Sequence, residues 1–152
     1  MLFTDLSDYR LAAAYQCGLD NTSNVRNEPL GEAARRVFGD DGFDVAIECV
    51  GVEATVDAAI ENIAKGGRIV AVGNFPEKPR VNVSLIQDRE LSLIGTLMYK
   101  HEDYHRAVEL LDAGAVVTGP LETKHFPFER YLEAYQYILG QNGRCMKVFI
   151  DL

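Results

Sequence analysis

The run Asp44-Val45-Ala46-Ile47-Glu48-Cys49-Val50-Gly51 decides how the rest of the chain is read. It is rich in apolar and β-branched residues and halts at a glycine, so it reads as a strand. Downstream, Val52, Val56, Ala59, Ile60 and Ile63 recur at helical spacing, giving a helix from about Glu53 to Lys65 that Gly66-Gly67 stops. Arg68-Ile69-Val70-Ala71-Val72 repeats the buried-strand pattern and ends at Gly73. After a loop holding Pro76 and Pro79, Leu91-Ser92-Leu93-Ile94-Gly95 repeats it again. Upstream, Leu2-Phe3-Thr4-Asp5 is an apolar strand ending in a carboxylate. Ser7 caps a helix running to about Cys17, with Gly18 as its stop. Leu19 to Val25 is polar and irregular, with room for a short edge strand. Pro29 fits the first turn of a helix that Gly39 ends.

The alternation continues beyond Gly95. A helix from about Glu102 to Ala113, stopped by Gly114, has Tyr104, Ala107, Val108 and Leu111 as its apolar face. A short strand follows near Glu122 to Phe126. The last helix, about Phe128 to Leu139, directs Tyr131, Leu132, Tyr135 and Ile138 inward, and Lys147-Val148-Phe149-Ile150 closes as a strand. Strands alternating with helices of this length imply an α/β fold with a parallel, doubly wound sheet. Right-handed crossovers then place most strand ends on one edge, outside which ligands bind.

Composition narrows the function classes. A length of 152 residues suits one domain, or one with an appendage. The net charge of -8 repels phosphate backbones, so broad nucleic-acid binding is not expected. No apolar run approaches the ~18 residues of a membrane span, and the first residues lack the basic start of a signal peptide. No membrane partner and a cytoplasmic location are the expectations. Cys17, Cys49 and Cys145 are odd in number and dispersed, which reads as reduced, packed cysteines.

Candidate binding residues gather where strands end. Asp5 can accept hydrogen bonds from both hydroxyls of an adenosine ribose and disfavour a 2′-phosphate, selecting NAD over NADP. It can equally be a helix N-terminal acid favoured by the macrodipole. Arg10, one turn on, either flanks the adenosine or is a solvated helix arginine. Cys49-Val50-Gly51, Val72-Gly73-Asn74 and Gly95-Thr96-Leu97 each put a glycine at a strand exit, where backbone can approach a flat ligand closely. Ordinary turn glycines explain any one of them. No G-x-G-x-x-G turn, phosphate loop, serine elbow or kinase signature is present. His101-Glu102 resembles part of a metal motif but is read as a polar pair at a helix start. His105 and His125 are read as surface or loop residues without metal-ligand neighbours.

Asp5-Leu6-Ser7-Asp8-Tyr9-Arg10-Leu11, the Asp44–Gly51 run, Gly66-Gly67-Arg68-Ile69-Val70-Ala71-Val72-Gly73 and Met146-Lys147-Val148 together resemble the medium-chain, zinc-dependent alcohol dehydrogenases. The likeness is greatest to the sorbitol (polyol) and threonine dehydrogenase branch. Ala107 to Gly114 and His125-Phe126-Pro127 fit the same branch. The resemblance implies that 1–97 is the rear of an NAD-binding Rossmann domain lacking its first strand, and that 98–152 is a segment returning to the catalytic domain. It places Asp5 and Arg10 on the adenosine ribose, Gly51 and Gly73 under the cofactor, and Thr96-Leu97 near the nicotinamide amide. Lys147 matches a position of a cation near the pyrophosphate, or is a solvated strand lysine. The cofactor implied is NAD. Zinc belongs to the intact family, with no ligands in this chain and no catalytic residue among these.

In dinucleotide-binding folds the glycine turn precedes the ribose acid by about 20 residues, whereas four residues precede Asp5. The expectation is therefore a C-terminal portion of an enzyme acting on a polyol or other small alcohol, inactive by itself. A threonine-type dehydrogenase portion and a non-catalytic assembly module stand as alternatives. Without the central strand, two strand edges would be left unpaired. The sheet is expected to close over the gap or to pair with another chain, in a homo-oligomer or with a partner.

Overall fold

The computed structural model describes residues 1–152. The chain is α/β, with parallel pairing throughout. It divides into two compact units, Glu28–Lys100 and Met1–Asn27 together with His101–Leu152.

In the unit 28–100, β3 (Val45–Glu48), β4 (Arg68–Ala71) and β5 (Ser92–Gly95) form a three-stranded sheet in the order β3-β4-β5. Val45 pairs with Arg68 and Arg68 with Ser92, so the three strands leave the sheet at one level: Glu48 opposite Ala71, and Ala71 opposite Gly95. The helices are α2 (Leu30–Phe38), α3 (Glu53–Asn62) and α4 (Val83–Asp88). Val56, Ala59, Ile60 and Ile63 of the helical stripe meet Ile69 and Leu91 in the core. Burying each isoleucine stabilises by roughly 1.5–3 kcal/mol.

Three sequence readings are corrected in this unit. Pro29 is the residue before α2, not within its first turn. α3 stops at Asn62 rather than Lys65, because Ile63 turns to an extended conformation and enters the core. Arg89 replaces the missing turn: its Nη1 donates to the carbonyls of Ile60 (3.4 Å), Glu61 (2.7 Å) and Ile63 (3.2 Å). α4 lies where only loop was expected. Six residues are too few to show a period, and its start is made by the Asn82 side chain accepting from Leu85 N at 3.1 Å.

In the other unit, β1 (Phe3–Asp5) pairs with β2 (Thr22–Asn24), and α1 (Asp8–Gln16) buries Leu11, Ala13 and Ala14. Ser7 caps α1 by accepting from Arg10 N, and Gly18 takes φ +92 beyond it, both as the sequence predicts. A second sheet joins β6 (Glu122–Pro127) to β7 (Lys147–Asp151), with an irregularity between Glu122 and Lys124. Phe126 is buried, its ring 5.7 Å from that of Tyr137 on α6 (Tyr131–Gly140). The inward faces expected on the last two helices are not formed. Tyr131, Leu132, Tyr135 and Ile138 are exposed and only Ala134 of α6 is buried. On α5 (His101–Asp112) no residue is buried, and Tyr104, Ala107, Val108 and Leu111 face solvent. Periodicity marks a face that favours cover; it does not say that the same chain supplies it.

β1-β2 and β3-β4-β5 are separate parallel ladders, one in each unit. Of the two outcomes expected from the sequence, pairing within the chain in place of the missing strand is not seen: β1 pairs only with β2, and β3 only with β4.

β6 and β7 are clipped by a histidine. His125 Nδ1 lies 2.8 Å from Asp151 Oδ1 and Nε2 lies 3.7 Å from Glu122 Oε2, while the ring stacks on Phe149. The hydrogen bond to Asp151 first, then the charges of Asp151 and Glu122, raise the His125 pKa above the ordinary value. A raised folded pKa gives stability that is complete below the unfolded value of about 6.5 and is lost as pH climbs through the folded value. The melting temperature is expected to fall over that interval, by a small amount because the pair is exposed. Asp151→Asn should flatten the dependence, and an unchanged profile in Asp151→Asn would contradict the assignment.

Candidate functional site

The parallel register gathers three strand exits of the unit 28–100 on one edge. Cys49-Val50-Gly51 follows β3, Val72-Gly73-Asn74 follows β4 and Thr96-Leu97 follows β5. Cys49, Val50, Val72, Asn74, Thr96 and Leu97 are exposed there, and Thr96 N extends the β4–β5 ladder to Ala71 O at 3.1 Å. Partial desolvation, then the neighbouring Glu48 charge, push the Cys49 thiol up, so it stays protonated rather than serving as a nucleophile.

Glu48 organises the first two exits. The residue is 5% exposed. Oε1 accepts from Val50 N (2.8 Å), Gly51 N (2.8 Å) and Thr55 Oγ1 (2.7 Å). Its main-chain oxygen accepts from Val72 N and Gly73 N at 2.8 and 2.9 Å. One residue thus holds both loops. Its Oε2 is buried without a donor, facing Gly73, where an added Cβ would lie 2.7 Å away. The same Cβ would lie 2.3 Å from Gly51 N, and one on Gly51, already at φ +82, would lie 2.3 Å from Asn74 O. The two glycines are therefore demanded by the mutual approach of their loops. Gly95 differs: an added Cβ there meets nothing within 4 Å, so internal packing leaves space over that strand end.

In the other unit, Asp5 ends β1. Its Oδ1 accepts from Ser7 N at 2.8 Å, and its Oδ2 lies 3.7 Å from Arg10 Nη1. Asp5 is therefore an N-terminal acid of α1, with a second oxygen turned towards an exposed guanidinium. Lys147 opens β7 opposite Glu122, and lines a cavity of about 440 Å³ with Leu111, Thr118, Leu121 and Phe149. A further cavity of about 480 Å³ lies in the unit 28–100, away from the strand exits, among Gly39 to Gly42, Asn62 to Lys65 and Arg89.

The family model described as zinc-binding dehydrogenase matches residues 1–113. The chain belongs to the zinc-binding dehydrogenase family. It is 31% identical to sorbitol dehydrogenase 1 of Saccharomyces cerevisiae and 34% to sorbitol dehydrogenase of Ovis aries, each over 99% of this chain. It is 32% identical, again over 99% of its length, to L-threonine 3-dehydrogenase of Saccharopolyspora erythraea. The chain spans 42–44% of the length of these relatives. Among solved structures, L-idonate 5-dehydrogenase of Escherichia coli superposes with a TM-score of 0.83 at 25% identity, over 97% of this chain and 42% of that one. A zinc-binding dehydrogenase of Sinorhizobium meliloti, bound to NADP, gives 0.77 at 25% identity, over 88% and 40%.

Zinc and a nicotinamide cofactor, both implied by this family, fit the chain differently. No group of three His, Cys, Asp or Glu side chains is placed to hold a metal, so a catalytic zinc with three protein ligands does not fit this zinc-binding dehydrogenase chain. Within the unit 28–100, the strand end at Gly95 leaves open space that a flat cofactor ring fits.

Sequence reasoning missed two residues. Glu48 was read only as part of a strand, although a carboxylate inside an apolar run signals a satisfied buried acceptor. His105 was read as lacking ligand neighbours, which is corrected: it stands four residues after His101, and their Nε2 atoms are 3.0 Å apart. The run His101-Glu102-Asp103-Tyr104-His105 spells H-E-x-x-H on a helix.

The glycine contacts predict a contrast. Gly73→Ala should cost about 1–3 kcal/mol through overpacking, while Gly95→Ala should stay within about 0.5 kcal/mol. Urea unfolding of both variants checks this, and equal costs would refute the close approach of the loops.

Proposed function

We propose that this chain is the C-terminal portion of a zinc-containing, NAD-dependent dehydrogenase that oxidises a polyol or other secondary alcohol. The observation that carries the reading is Asp5: a carboxylate at the end of β1, with Oδ2 turned towards Arg10, in a chain of this family. There it accepts hydrogen bonds from the ribose hydroxyls and disfavours a 2′-phosphate by charge. Arg10 flanks the adenosine. The exits Cys49-Val50-Gly51 and Val72-Gly73-Asn74 lie under the cofactor, Thr96-Leu97 near the nicotinamide amide, and Lys147 near the pyrophosphate. When bound, the nicotinamide supplies the hydride acceptor. The sorbitol dehydrogenases among its relatives support a polyol substrate.

In this reading 1–97 serves the cofactor and 98–152 the catalytic domain, in a cytoplasmic enzyme. No helix is long and apolar enough to cross a membrane. The unpaired edges of β1 and β3 and the exposed faces of α5 and α6 favour assembly with a second copy or partner segment. Similarity to an L-threonine 3-dehydrogenase favours a second reading, in which the substrate is a β-hydroxy amino acid.

The residues here provide neither a G-x-G-x-x-G turn nor a three-ligand zinc group. The chain alone is therefore expected to bind NAD no tighter than about millimolar, near -4 kcal/mol, and to catalyse nothing. Amide NMR titration with NAD should shift Ser7 and Arg10, with a smaller response to NADP. Asp5→Asn should remove the preference. Equal responses to the two cofactors, or none at these amides, would overturn the assignment of Asp5.

A further inference from the structure

We propose that His101 and His105 form a two-ligand site on α5 for a borderline divalent transition-metal ion, taking Cu²⁺ ahead of Ni²⁺ and Zn²⁺. The proposal is independent of the reading above. Residues four apart on a helix share a face, and both imidazoles are exposed to solvent. Their Nε2 atoms are 3.0 Å apart and the rings meet edge to face, with centroids at 4.6 Å. Both Nε2 atoms thus lie close enough together to reach one ion.

The distance has a chemical meaning. Two imidazole nitrogens at about 2.05 Å from one ion and 3.0 Å from each other subtend about 94° at that ion. This is close to the right angle between adjacent ligands of a square-planar or octahedral centre, the geometries of Cu²⁺ and Ni²⁺. A tetrahedral zinc would separate them by about 3.3 Å, which a small ring rotation supplies. The order of affinity follows from the intrinsic preference of nitrogen sites.

The proton account balances. At 3.0 Å the two Nε2 atoms share one proton, one ring donating and the other accepting. A metal ion takes both Nε2 lone pairs once the donating ring shifts its proton from Nε2 to Nδ1, by exchange with water. No electron is transferred. The helix N-terminus opposes a cation, but Glu102 and Asp103 in the same turn, and the net charge of -8, offset this. With no third protein ligand at hand, water fills the other positions. Glu102 stands where helical zinc hydrolases place a general base, but a two-ligand site carries no such activity here.

The test titrates the untagged chain with NiCl₂ by calorimetry and with CuCl₂ by electron paramagnetic resonance. One ion per chain is expected, tighter for Cu²⁺ than for Ni²⁺, with splitting from two nitrogens. His101→Ala and His105→Ala should each weaken binding by about 100-fold, since a lost ligand costs at least as much as a lost outer-shell partner. His125→Ala should leave it intact. Ni²⁺ should also raise the melting temperature of the unaltered chain but not of either variant; the positions are exposed, so circular dichroism should show both variants folded. If His105→Gln, a milder change, also kept full Ni²⁺ affinity, the site would be refuted. A spectrum of four nitrogens would equally overturn it, because the ion would then be shared between two chains.

Discussion

The face formed by the strand exits of the unit 28–100 depends on one buried carboxylate. Glu48 ends β3 on the inside of the unit, and its Oε1 accepts from three donors at a tight turn: Val50 N, Gly51 N and Thr55 Oγ1. Its main-chain oxygen takes two more from the exit of β4. A buried carboxylate is costly unless it is hydrogen-bonded; here Oε1 has its donors while Oε2 has none, and the main-chain bonds tie in the second loop. They fix two loops against each other so closely that only glycine fits at 51 and 73. The exposed atoms of Cys49, Val50, Val72 and Asn74 are thereby held on a rigid support rather than on free loops.

The chain as a whole also shows the opposite condition. Its parallel ladders leave β1 and β3 paired on one side only, and apolar side chains on α5 and α6 face solvent. Unpaired strand edges and uncovered apolar faces are features that proteins ordinarily cover. This agrees with membership of a family whose curated relatives are more than twice as long. Local order is nonetheless well specified, through Ser7 and Asn82 as caps, Arg89 on the end of α3, and the His125–Asp151 clip.

Much of this was legible in the sequence. Strands ending at Gly51, Gly73 and Gly95 carry β-rich runs with glycine stops, and the Val56–Ile63 stripe has a clean helical period. Asp5 was legible for the same reason, as a lone acid closing an apolar strand. What was not legible depended on partners distant in sequence. α4 is too short to show a period. The end of α3 is set by Arg89, 26 residues from Ile63. The outward faces of α5 and α6 follow from which surfaces the chain supplies, which amphipathicity does not encode. Glu48 was hidden because its partners are mostly backbone amides, which leave no trace in composition. The His101–His105 pair was legible at its i, i+4 spacing and was passed over.

Native-state hydrogen exchange at the Val50 and Gly51 amides tests the role of Glu48 most directly. The account predicts that both exchange as slowly as the ladder amides of Ile69 and Val70, and that Glu48→Ala releases them while the β4–β5 ladder stays protected. Exchange of Val50 and Gly51 in the unaltered chain at the rate of exposed loop amides would contradict it.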